Sequence, residues 1–268
     1  MGGFAVVLGG GAGLGAFEIG VIDALARQEA RPRLLVGTSV GALNAAFWAF
    51  HPGADAGAQL LEAWLDSNRA GLLTERPWKW LGRLLSHHDH LLGHAAEAAL
   101  ISRRFGPETA IEDAGIPLAI VATELDSGQQ VVLRAGNLST ALLGSIAIPG
   151  LFAPVAFDGR LLVDGGVVAN CDLDAVVDAG VEAAIVVDPI GLSQAPARGD
   201  VLSELEHAVA ISLRRQTDLA IRALAGRLQV VLLRPTLYWT PRLFDFSHTR
   251  ELFDMGREAA GGLLQAVA

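Results

Sequence analysis

Gly37-Thr38-Ser39-Val40-Gly41 sets one hydroxyl between two glycines, where the apolar run Leu34–Val36 gives way to a helical pattern. A strand that turns sharply into a helix can hold its corner residue in a strained conformation, with the side chain standing clear. Only very small residues fit two positions before and after that corner. Ser39 is therefore a candidate nucleophile. It would sit at the N-terminus of the following helix, whose partial positive end favours developing negative charge, and the Val40 N–H would face an oxyanion. An ordinary glycine-rich strand–helix turn would use the same residues, so the pentapeptide needs support from elsewhere in the chain.

Support comes from two further segments. In "VVLGGGAGLGAFEIG", Val6 to Gly20, the consecutive Gly9, Gly10 and Gly11 follow a short apolar run. No register there gives G-x-G-x-x-G, and the second strand ends in Gly37-Thr38-Ser39 rather than in an acid for a ribose, so a dinucleotide fingerprint fails. No Gly-Lys-Ser/Thr follows, so a phosphate-binding P-loop fails as well. What remains is a run of backbone N–H groups at a helix start, a nest suited to an anion or to the oxyanion of acyl transfer. In "LLVDGGVVAN", Leu161 to Asn170, Asp164 ends an apolar strand and is followed by Gly165 and Gly166, which aims its carboxylate out over a tight turn. A plain Asp-Gly turn has the same composition.

Taken together and in this order, the three segments resemble the patatin-like phospholipases, serine lipid acyl hydrolases that use a Ser–Asp dyad. The segments "GAFEIGVIDAL", "SIAIPGLFAPV" and "DFSHTRELFDMGREAA" resemble the family too, so the likeness runs from about residue 4 to 265. It implies a three-layer α/β/α fold of patatin type, spanning 1–268 as a single domain with an irregular cap or lid-like segment at about 70–110. It implies Ser39 as nucleophile, Asp164 as general base, and Gly9, Gly10, Gly11 and Val40 around the oxyanion. Gly37, Gly41, Gly165 and Gly166 support the motifs. The expected substrate is a lipid or small ester, with transient contact at a membrane surface and no cofactor or metal. Two positions depart from the family: Leu14 stands where Arg or Lys is usual, and Asn170-Cys171-Asp172 replaces Asn-x-Pro.

Other readings compete. His207 and His248 follow Asp164, so the order Ser…Asp…His of another hydrolase class is available, although Ser39 comes early for that fold. A lipid- or acyl-chain-binding protein without turnover is a third reading. "SHHDHLLGH", Ser86 to His94, places His90 and His94 at a spacing compatible with metal, but no Glu completes an H-E-x-x-H arrangement. "RPWKWL", Arg76 to Leu81, reads equally as an interfacial patch or as packing of a cap.

These residues need elements to carry them, and the chain alternates short apolar runs with longer helical patterns. Strands are expected at Phe4–Leu8, Leu34–Val36, Leu118–Thr123, Gln130–Arg134, Leu161–Val163, Ala184–Val187 and Val230–Leu233. Helices are expected at Ala16–Ala30, Val40–Phe50, Ala58–Asn68, from Leu138 until Pro149 breaks it, Val201–Leu224 and Arg250–Val267, with 70–106 the least regular part. That alternation implies a mostly parallel sheet covered on both faces, with sites at the carboxyl ends of strands.

The composition fits a core-rich enzyme. Hydrophobic residues make up 51% of the 268 and charged residues 18%, with a formal net charge of −9. Lys79 is the only lysine, and no basic patch interleaved with aromatics offers itself to nucleic acid. A single cysteine, Cys171, needs no oxidising compartment. Leu34–Ala54 and Ala135–Phe157 lack Asp, Glu, Lys and Arg, but glycines and prolines interrupt both, so they read as buried core rather than as spanning helices of about 20 residues. A cytoplasmic location is expected.

Overall fold

The structure, a computed structural model, describes residues 3–69, 94–192, 201–239 and 242–263. In chain order the elements are β1 (Phe4–Leu8), α1 (Ala16–Arg27), β2 (Leu34–Thr38), α2 (Val40–Phe50), α3 (Ala56–Arg69) and α4 (Ala95–Phe105). There follow β3 (Leu118–Glu124), β4 (Gln130–Leu133), α5 (Leu138–Ser145), β5 (Val155–Phe157), β6 (Arg160–Asp164) and α6 (Asp174–Asp178). The chain continues through β7 (Ala183–Val187), α7 (Val201–Ala223), β8 (Gln229–Leu233) and α8 (Thr249–Ala259). All eight strands form one sheet.

Strand alternation sorts the core into two layers. Val6, Leu8, Leu35, Leu118 and Ile120 face α1, α2, α3, α5 and α8. Their neighbours Ala5, Val7, Leu34, Val36 and Val121 face α6 and the C-terminal part of α7. Strands β2, β1, β7 and β8 run parallel, and β3 runs parallel to β2. The sheet is thus mostly parallel with helices on both faces, as expected, and both charge-free stretches lie within it and its flanking helices. Among the described residues no helix is long and apolar enough to cross a membrane.

Strand β3 acts as a ruler for the site. Its residues Ile120–Thr123 pair with β4 on one edge. On the opposite edge β2 pairs as far as Thr38 opposite Val121, and β6 takes over antiparallel with Asp164 opposite Ala122. Two strands from distant parts of the chain therefore meet end to end, bringing the residue after Thr38 and the last residue of β6 together.

The structure corrects several boundaries. Helix α1 ends at Arg27, where Glu29 takes a left-handed φ of 56°. The closing helix stops at Ala259, ahead of the Gly261-Gly262 pair in which Gly262 has φ 80°. Helix α5 ends at Ser145, four residues before Pro149. The irregular stretch expected at 70–106 contains helix α4 over Ala95–Phe105, and beyond it a 3-10 turn covers Ile111–Asp113. Residues 70–93 of the lid-like segment, including Arg76–Leu81 and His90, lie outside the described residues.

Helix α1 is buried along nearly its whole length because α8 crosses it at glycines. A side chain on Gly20 would collide with the Phe253 carbonyl, and one on Gly256 with the Phe17 carbonyl. Gly256→Ala is expected to destabilise the fold by about 1–3 kcal/mol through forced separation of these helices, as read in urea unfolding.

Candidate active site

Ser39 occupies the junction of β2 and α2 with φ 55° and ψ −125°, a conformation that costs a non-glycine residue about 1–3 kcal/mol. Both flanking glycines are sterically required. A Cβ on Gly37 would run into the backbone of Gly41 and Ala42, and one on Gly41 into the carbonyls of Leu8 and Gly9. The corner is pinned by Ser145, whose hydroxyl donates to the Val121 carbonyl at 2.7 Å and accepts the Ser39 N–H at 2.9 Å.

The Ser39 hydroxyl donates to Asp164 Oδ2 at 2.6 Å, and both residues are nearly sealed from solvent. Asp164 is held in turn: its Oδ1 accepts the Gly166 N–H at 2.8 Å, its backbone N–H donates to Ala147 O, and its carbonyl accepts the Thr123 hydroxyl at 2.9 Å. Burial pushes the Asp164 carboxyl up to about 6, against the hydrogen bonds from Ser39 and Gly166. Desolvation dominates because no cation among the described residues offsets it.

The glycine loop is arranged differently from the expectation that Gly9, Gly10, Gly11 and Val40 all surround the oxyanion with free donors. The Gly9 N–H continues the β1–β7 ladder to Val187 O at 3.0 Å, and the Gly10 N–H donates to Asn170 Oδ1 at 2.9 Å. Gly10 still lies against Ser39, since a Cβ on it would stand 3.2 Å from the Ser39 Cβ. The Gly11 and Val40 N–H groups have no protein acceptor among the described residues, which leaves two free donors, one directly after Ser39 and one directly after Gly10. Leu14 is buried in the core, so this loop offers backbone dipoles and no cation.

Asn170 and Gln216 join the loop to the Asp164 turn. The Asn170 N–H donates to Gln216 Oε1 at 3.0 Å, and Gln216 Nε2 donates to Gly166 O at 3.1 Å. Ser145 and Gln216 carry no local signature as site residues, Ser145 being one hydroxyl among apolar neighbours and Gln216 one of a run of polar residues on α7. Asn170 was visible only as part of a departure from the Asn-x-Pro pattern.

The described histidines have partners of their own or lie on the surface. His94 Nε2 pairs with Ala153 O and its ring stacks on Phe152, while His248 pairs with Glu251 and stacks on Trp239. His207 lies part-exposed on α7. Among the described residues no group of three or more His, Cys, Asp or Glu could hold a metal ion.

Comparison with known proteins agrees with this arrangement. Residues 6–177 match the sequence model described as patatin-like phospholipase, a stretch that includes the glycine loop, the Ser39 corner and the Asp164 turn. An uncharacterized NTE family protein of Mycobacterium tuberculosis is 35% identical over 197 residues, covering 72% of this chain and 51% of its own. A lysophospholipase of Mycosarcoma maydis is 27% identical over 201 residues, covering 74% of this chain and 10% of its own. The chain thus spans about half the length of the mycobacterial relative and a small part of the fungal one. The crystal structure of VipD from Legionella pneumophila is alike in fold, with a TM-score of 0.52 at 14% identity over 100% of this chain and 67% of that one. With the sequence match carrying all three motifs in order, the chain belongs to the patatin-like phospholipase family.

Proposed function

We propose that the chain is a lipid acyl hydrolase that cleaves carboxylic esters through Ser39 and Asp164. The observation that carries this reading is the 2.6 Å hydrogen bond from the Ser39 hydroxyl to Asp164, with no imidazole between them. A carboxyl near 6 is ionised at neutral pH yet far more basic than an exposed aspartate, which suits it to accept the proton as Ser39 Oγ attacks the ester carbonyl. The Gly11 and Val40 N–H groups hold the oxyanion. Collapse of the tetrahedral species expels the alcohol, which takes the proton from Asp164 and leaves Ser39 acylated. Water then gives a proton to Asp164 and attacks the acyl carbonyl, and Ser39 leaves with that proton as the acid is released.

The lipid character of the substrate rests on the family and on the related lysophospholipase of Mycosarcoma maydis. Transient contact with a lipid surface belongs to the same reading. Val201, Leu205 and Val209 stand exposed four apart on α7, and the next turn of that helix brings Leu213 and Gln216 to Gly166. One sheet takes strands from both halves of the chain, which supports a single domain. The lone, buried Cys171 requires no oxidising surroundings and suits the cytoplasm.

Two outcomes are expected for activity. With p-nitrophenyl butyrate, Ser39→Ala reduces turnover to background, and Asp164→Asn lowers kcat/KM by about 10²–10⁴-fold. Retained activity in Ser39→Ala overturns the reading. Asp164→Asn is also expected to melt no lower than the parent at pH 7. The native carboxyl binds its proton more tightly than the unfolded one, so stability falls as pH rises from about 4 to about 6, by roughly 2–3 kcal/mol. The asparagine removes that loss.

The second outcome concerns the pH profile. Parent kcat/KM should rise about tenfold per pH unit below about 6 and level above it, as Asp164 ionises. An acid limb near the ordinary aspartate value, or activity lost on replacing His207 or His248, would assign the base elsewhere.

A further inference from the structure

The two donors left for an oxyanion, Gly11 and Val40, belong to different segments, so something must fix their spacing. Gly11 opens a 3-10 turn, Ala12–Gly15, that runs directly into α1, and Val40 is the first residue of α2. One turn beyond Val40, Asn44 reaches back: its Nδ2 donates to Gly15 O at 3.1 Å and to Glu18 Oε2 at 2.7 Å. Gly15 is itself pressed against Val40, with only 2.8 Å between a Cβ built on it and the valine methyls. Glu18 and Asn44 are both completely buried.

This contact is unfinished as a charged pair. Glu18 Oε1 and Asn44 Oδ1 are both buried acceptors without a donor. A buried carboxylate with one amide partner and an unmet oxygen is costly, and so is an unmet amide carbonyl beside it. One proton resolves both, because a carboxylic acid donates from Oε1 to the amide oxygen while Oε2 keeps the bond from Nδ2. We propose that Glu18 is carried as the neutral acid in a two-bonded ring with Asn44, and that this pair is the positioning element that sets Gly11 against Val40 around the oxyanion.

The surroundings support it. Burial raises the Glu18 carboxyl well above the usual carboxylate range, opposed by the bond from Asn44; the Asp188 carboxylate after β7 raises it further, and the nearby Gly9 N–H, itself committed to Val187 O, lowers it slightly. Asp188 is committed to Arg234 at 2.7 Å, and Arg234 also binds Asp218. The remaining ionisable neighbour, the Cys171 thiol, is itself pushed up by burial, by Asp188 and by Glu18. Helices α3 and α8 meet α1 at Gly57 and Gly20, and the nearest acid along α1, Asp23, is tied to Arg27. Deprotonation of Glu18 would therefore put an unpaired charge beside Asp188 behind the glycine loop and break the ring.

The proposal rests on the Ser39–Asp164 reading, and the experiment separates the two. Turnover of p-nitrophenyl butyrate is measured from pH 5 to 9.5 in the parent, Glu18→Gln and Glu18→Ala, with p-nitrophenol read after adjustment to a common pH. Glutamine mimics the protonated acid, since its amide donates where the acid would. It is expected to keep kcat within about threefold of the parent at pH 7 and to abolish the alkaline fall that the parent shows. Alanine is expected to lose about 10²-fold in kcat with KM little changed, the size of losing one oxyanion donor. An alkaline fall persisting unchanged in Glu18→Gln, or a parent-like kcat in Glu18→Ala, overturns the proposal. Thermal unfolding of the parent and Glu18→Gln tests the neutral acid without any turnover. The glutamine variant should gain stability over the parent as pH rises above about 4.3, and a gap that stays constant overturns the proposal. A parent inactive toward the ester counts against the hydrolase reading alone, and the unfolding experiment still decides the state of Glu18.

Discussion

Ser39 and Asp164 touch because two strands running in opposite directions share one edge of β3, with Thr38 facing Val121 and Asp164 facing Ala122. The register of a sheet is discrete, so this meeting is set to within a single residue. A slip of one position in β6 would turn Asp164 to the other face of the sheet, since side chains alternate with period two. The hydrophobic alternation that holds the register in the core is therefore also what holds the dyad. Ser145 completes the junction by taking the Val121 carbonyl and the Ser39 N–H at the point where one strand stops and the other starts.

The site is assembled from groups that are unfavourable one by one. Ser39 holds a left-handed backbone, and among the described residues the buried Asp164 carboxyl meets no cation and the Gly11 and Val40 N–H groups meet no acceptor. Each costs about a kilocalorie or more, and each is the property that chemistry at this corner requires. The surrounding residues are correspondingly over-constrained. Asn170 binds Gly10, Gln216 binds both Asn170 and Gly166, and Arg234 neutralises Asp188 behind them.

The parts of this arrangement that were legible in the sequence are those with local signatures. Glycines two positions either side of Ser39, three consecutive glycines after an apolar run, and Asp164 before two glycines each reflect a backbone that admits no side chain. The parallel sheet followed from alternating apolar runs and helical patterns. Strand β5 escaped notice because it has three residues, although Asp158-Gly159, both with positive φ, is a hairpin signal joining it to β6. Glu18 escaped for a different reason. The apolar stripe Ile19, Ile22, Ala26 makes α1 look half-exposed, whereas α8 covers the opposite face and Asn44 of α2 closes over the glutamate. Ser145 and Gln216 act on partners 106 and 50 residues away, and nothing in their own neighbourhoods records that distance.

The crossing of α1 by α8 bears on how such a chain can diverge. Every motif residue precedes position 171, yet the helix that seats α1, and with it the glycine loop, comes from the last thirty or so residues described. Its hold is made through main chain, at Gly20 against Phe253 O and Gly256 against Phe17 O, and Leu243 O likewise accepts the Gly13 N–H at 2.6 Å. Contacts of that kind fix the glycines, and the buried Leu252 and Phe253 fix the apolar side of α8, while its outward positions stay unselected. The family match stops at residue 177, yet the fold that seats the glycine loop runs on through α8.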